Sequence, residues 1–202
     1  MNPSTRQSDL FFQRACVFEA GLSLLALILG WLADINPLAV LRFSEPALAY
    51  GILGTLPLIG LFFAIQAMTL DSVKTIRTLL ENTLCPSLAY RHWTDWLVLS
   101  VLAGFSEELL FRGFLQVWME LKWGAGTGLI GSALLFGLVH AVTPLYAFLA
   151  TLIGIYLGLS MDYGGERNLL VPVVIHALYD FAVFWVIMRG YRAKIAAENH
   201  DV

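Results

Sequence analysis

Three short runs place ionisable side chains at helical spacing inside apolar sequence: Glu107, Glu108 and Arg112; Phe136 and His140; His176 and Asp180. Each unpaired charge at mid-bilayer costs about 3 kcal/mol, so Glu107, Glu108 and Arg112 would together cost roughly 9 kcal/mol without partners. Glu108 and Arg112 are four residues apart and meet one turn from each other as a charge-assisted pair. Glu107 projects about 100° around the helix from that pair and has no local partner. Taken alone, Glu108 and Arg112 read equally as a structural ion pair that fixes helix packing or as part of a site. A second acid beside it has no packing use and reads as a general acid or base.

His140 is the one titratable group of its segment, and by itself would be a satisfied core histidine. His176 and Asp180 share a helix face, which suits a tautomer-fixing hydrogen bond, a metal-ligand pair or an anion-stabilising pair. Pro172, four residues before His176, predicts a kink that frees a carbonyl near the site. Jointly, the three runs make sense only if they face one interior, where they can activate water and stabilise an oxyanion. No H-E-x-x-H occurs, so a zincin helix is excluded. Ser106 lies outside any nucleophile elbow, and no Gly-x-Gly-Asp accompanies Tyr179-Asp180. A glutamate-centred site remains.

The elements that must position these groups are membrane helices. The 202 residues are 58% hydrophobic and only 13% charged, where a soluble domain has nearer a quarter charged residues. The expected fold is all-α, a polytopic transmembrane helix bundle of about six spans forming one domain over 1–202. The spans cover about 15–35, 47–70, 95–121, 125–142, 146–162 and 169–188. The first carries Glu19 near its start and is too long for a signal core, so it is read as a retained span. Ser44-Glu45-Pro46 announces the second helix.

Between the second and third spans, 71–93 is a connecting segment with Val73, Ile76, Leu79 and Leu80 opposite Lys74, Arg77 and Glu81. It is read as an amphipathic helix on the headgroups or a plain loop helix. Gly124 and Gly128, and Gly154 and Gly158, predict close helix approach, while Trp93, Trp96, Trp118 and Trp123 predict interfacial positions. The net charge of −3 and the lack of a basic patch argue against nucleic acid as a partner. Cys16 and Cys85 are too few for a disulfide or thiolate framework, and His200-Asp201-Val202 is no prenylation box. Basic residues gather on the side of both termini, so both are expected in the cytoplasm, with the protein in the cell membrane.

At the three charged runs the chain resembles the CAAX-protease and bacteriocin-processing (CPBP, or Abi) family, which includes the Rce1-type prenyl-protein endopeptidases. Its pattern is E-E-x-x-x-R, then F-x-x-x-H, then H-x-x-x-N or -D, and the runs above follow it in order. The resemblance covers a core of about 95–189. It implies a glutamate-dependent intramembrane endopeptidase in which Glu107 and His140 activate water and His176 and Asp180 stabilise the oxyanion. Glu108, Arg112 and Phe136 would support them. Rce1-type enzymes carry Asn where this chain has Asp180, and an ionised aspartate cannot donate a hydrogen bond. Asp180 is then protonated, acts through His176 or binds a cation. The implied partners are membrane lipid and a peptide or membrane-protein substrate. Prenylation of that substrate is not implied, because the chain lacks extra spans for a prenyl cradle. No cofactor is required, although Glu107, Glu108, His140 and His176 could ligate a divalent metal such as zinc. A different class of reading is a non-proteolytic membrane scaffold or self-immunity protein.

Overall fold

A computed structural model describes residues 3–198, with side chains from Arg6, so His200–Val202 and the reading made of them lie outside the described residues. Among the described residues there is no strand; the chain is a helical membrane bundle. Its helices are α1 (Pro3–Leu32), α2 (Glu45–Gln66), α3 (Asp71–Thr83), α4 (Cys85–Leu88), α5 (Trp93–Glu108), a π-helical segment (Leu109–Gln116), α6 (Val117–Trp123), α7 (Ala125–Val139), α8 (Pro144–Ser160) and α9 (Leu170–Glu198). Stretches Arg6–Leu32, Glu45–Gln66 and Leu170–Glu198 are long and apolar enough to cross a bilayer. α5, the π segment and α6 run on without a break as one long rod. The apolar α7 and α8 reach only about 22 and 26 Å at 1.5 Å per residue, against a hydrocarbon core of about 30 Å.

Local chemistry sets the helix ends. Ser44 Oγ accepts from the Ala47 amide and Pro46 follows in the first turn, so α2 starts as its cap signal predicts. Thr143 Oγ1 accepts from the Tyr146 amide at 3.1 Å and Pro144 opens α8 in the same way. Pro172 lies in the first turn of α9, where its missing N–H costs nothing, so the expected kink does not form. Gly124 turns out to be the break between α6 and α7, at φ 89°, rather than a packing step within a span. Gly154 and Gly158 do pack closely, against Ala133 and Leu129 of α7.

Charged residues sort to the two ends of the bundle. At one end Arg91 pairs with Asp9 and Asp95, and Arg192 donates to the carbonyls of Ala89 and Arg91. At the other, Arg42 pairs with Glu166, and Arg167 with Glu120 and Asp162. This reproduces the grouping of basic residues that the loops predict. Trp96 departs from expectation: it is buried under α4 with its indole donating to the Leu88 carbonyl at 2.9 Å. Beside it, burial pushes the Cys85 thiol up to about 11, which makes it unreactive at neutral pH.

Candidate active site

α5 and α9 approach so closely that a Cβ on Gly104 would stand 2.8 Å from the Ala177 backbone nitrogen. One turn beyond Gly104 lies Glu108, and next to Ala177 lies His176, so this contact brings the first and third charged runs together. Glu108 Oε1 accepts from Arg112 Nη1 at 2.9 Å and from His176 Nδ1 at 2.8 Å. Glu108 and Arg112 are fully buried. Arg112 lies in the π segment, whose wider turn is a feature often found at functional sites. It reaches the Gly154 carbonyl of α8 at 2.8 Å and sits over the Phe136 ring at 4.6 Å.

Phe136 is the hub of the cluster. Its ring centroid is 4.4 Å from that of His140 and 6.0 Å from that of His176, so an aromatic side chain from α7 spaces both imidazoles and Arg112. His140 Nδ1 lies 2.8 Å from the Phe136 carbonyl. A carbonyl only accepts, so Nδ1 carries a proton and Nε2 of the neutral ring is left with its lone pair. That Nε2 lies 3.6 Å from Glu107 Oε2, which is buried and has no hydrogen-bond partner. His176 Nε2 lies 3.6 Å from Asp180 Oδ2. All seven predicted residues therefore converge, with the links that matter running between helices rather than along them.

Glu107, His140, His176 and Asp180 form the floor of a cavity of about 440 Å³. Leu58, Phe62 and Ile65 of α2 and Val183 and Ile187 of α9 line its apolar walls. α3 roofs it, with Val73, Ile76 and Leu80 turned inward. The apolar face of this amphipathic helix thus covers the cavity. Arg77 anchors the roof through the Gln66 carbonyl and side chain at the end of α2, and Lys194 of α9 pairs with Glu81. The α7–α8 turn after His140 borders this cavity, the setting in which non-helical backbone is tolerated at membrane depth.

Among the described residues, no three His, Cys, Asp or Glu side chains are laid out to hold a metal ion. Glu108 and His176 Nδ1 are engaged with each other and with Arg112, which leaves Glu107, His140 and His176 Nε2 as the free donors of the expected set. Two residues near the site carried no assigned role in the sequence reading. Glu19, buried in α1, accepts from Ser106 Oγ, and its position inside an apolar span is itself the signal for a buried partner. Tyr146 lines the cavity, and its place at the start of a span gave no such signal.

A buried cluster of acids, histidines and an arginine at the base of a cavity in a helical membrane bundle defines a polytopic membrane protein with the makings of a hydrolytic site. Residues 89–182 match the family model described as type II CAAX prenyl endopeptidase Rce1-like, and this stretch holds all seven of the expected site residues. Neither the curated proteins nor the solved structures give a match. That model describes endopeptidases, and the likeness extends over the helices that carry the buried cluster.

Proposed function

We propose that the protein is an intramembrane endopeptidase of the glutamic type, cleaving an apolar, extended peptide segment that enters the α2–α3–α9 cavity. The observation that carries this reading is the pairing of Glu107 Oε2, buried and without a hydrogen bond, with the lone-pair nitrogen of His140 3.6 Å away on the cavity floor. A water bridging the two is polarised by both, and gaps of this size are usual before substrate binds. Glu107 takes one proton of that water while its oxygen bonds to the scissile carbonyl carbon, and the carbonyl π electrons move to oxygen. His176, held as imidazolium between Glu108 and Asp180, donates from Nε2 to the oxyanion. Glu107 then returns its proton to the amide nitrogen as the C–N bond breaks. Asp180 acts through His176 as its counter-ion. Arg112 holds Glu108 in place.

The protein works in the cell membrane with both termini cytoplasmic, a side assignment supported by the basic end at Arg91, Arg192 and Lys194. The test compares membrane proteomes of cells making the wild type or Glu107→Gln. One peptide should appear unprocessed in the variant, at equal protein level and insertion. A cellular phenotype that survives Glu107→Gln would favour the scaffold reading instead. Activity of the purified protein lost on chelation and restored by zinc would overturn the metal-free form.

A further inference from the structure

On the peptidase reading above, the oxyanion lacks a neutral donor where related enzymes have asparagine, because ionised Asp180 only accepts. Tyr146 brings a neutral phenol to this cavity. It lines the same cavity as Glu107, His140, His176 and Asp180, with its ring centroid 6.5 Å from that of His140. Its backbone is fixed by the Thr143 cap, three residues after the α7–α8 turn that carries His140. Among the described residues its hydroxyl has no hydrogen-bond partner, although the ring is half-buried. A half-buried phenol normally finds a partner, so a free one facing a cavity is poised for a ligand. By contrast, Tyr156 donates to the Gly54 carbonyl at 2.7 Å and is spent in packing.

We infer that Tyr146 is a catalytic residue whose phenol donates a hydrogen bond to the tetrahedral oxyanion, sharing that oxygen with His176 Nε2–H. The phenol keeps its proton throughout; only the hydrogen bond strengthens as charge moves onto the substrate oxygen. A neutral donor suits this site, since it adds no charge to a floor that already holds two carboxylates.

The test uses the purified full chain in detergent and a pool of internally quenched apolar peptides. Removing one oxyanion donor costs about 10²–10³-fold in kcat. Tyr146→Phe should therefore lower kcat on the cleaved peptide by about 10²-fold or more while KM stays within about twofold. A peptide aldehyde built on the cleaved sequence, whose hydrate is tetrahedral, should lose affinity for Tyr146→Phe, and the parent alcohol should not. Tyr90→Phe, at an exposed phenol outside the cavity, should stay within about threefold of wild type in kcat. If the wild type cleaves and Tyr146→Phe retains kcat within threefold, the role of Tyr146 falls alone. If the wild type and Glu107→Gln leave the pool equally intact, the peptidase reading falls and this inference with it.

Discussion

Two arginine–carboxylate clusters lie at different depths of this bundle, and they are built to different standards of satisfaction. Near one end, Arg167 binds Glu120 through both terminal nitrogens and also reaches Asp162, with all three side chains partly open to solvent. Hydrogen bonding from Glu120, reinforced by Asp162, pushes the Arg167 guanidinium above its ordinary range, so the charge is permanent. Its three charged side chains leave no buried atom unpaired, and the one orphan beside them is Oε1 of Gln116, a neutral amide that donates to Glu120. The inner cluster is fully buried around Arg112, and yet Arg112 Nε, Glu108 Oε2 and Glu107 Oε2 have no partner. A cluster that exists to join helices pairs its groups off. One that leaves a carboxylate oxygen unpaired beside a histidine lone pair, at the base of a cavity, spends stability on reactivity.

That contrast can be broken at either cluster, and the largest effect belongs to the inner one. Glu107→Gln should lower cleavage by about 10²–10⁴-fold, the usual worth of a general base, with thermal unfolding in detergent unchanged or slightly improved. A variant that is inactive only because it no longer inserts would remove Glu107 from the chemistry. Arg112→Leu should destabilise by about 3–5 kcal/mol, because Glu108 is left as an uncompensated buried charge. Gly104→Val should cost about 1–3 kcal/mol by forcing α5 from α9, and should lower activity further by lengthening the Glu108–His176 bond. At the outer cluster, Arg167→Ala should cost no more than about 1 kcal/mol and leave cleavage intact, which unfolding and peptide assays would check together. Equal losses for Arg112→Leu and Arg167→Ala would erase the distinction between the two clusters.

The parts of this arrangement that depend on neighbours in sequence were legible in it. Glu108–Arg112 is an i,i+4 pair at 2.9 Å, His176 and Asp180 face each other as spaced, and the cap at Ser44 starts α2. What depends on packing was hidden. The π segment arises where Gly113 lets the α1–α2 loop at Pro37 come within 2.6 Å of where a Cβ would stand, which no periodicity announces. The amphipathic pattern of α3 is the same whether its apolar face meets lipid or a cavity. Trp96 looks interfacial by type, and only the fold of α4 over it makes it core. Pro172 falls in the first turn of α9, as the span of about 169–188 already placed it, and a proline there leaves the helix straight.

The central claim is that Glu107 and His140 act on one shared water. A double-mutant cycle on kcat/KM, using Glu107→Gln, His140→Gln and the double variant, tests it most directly. Groups that act as a unit are strongly non-additive, so the double variant should be no slower than the slower single one. Losses that multiply, with each residue contributing independently of the other, would contradict the account.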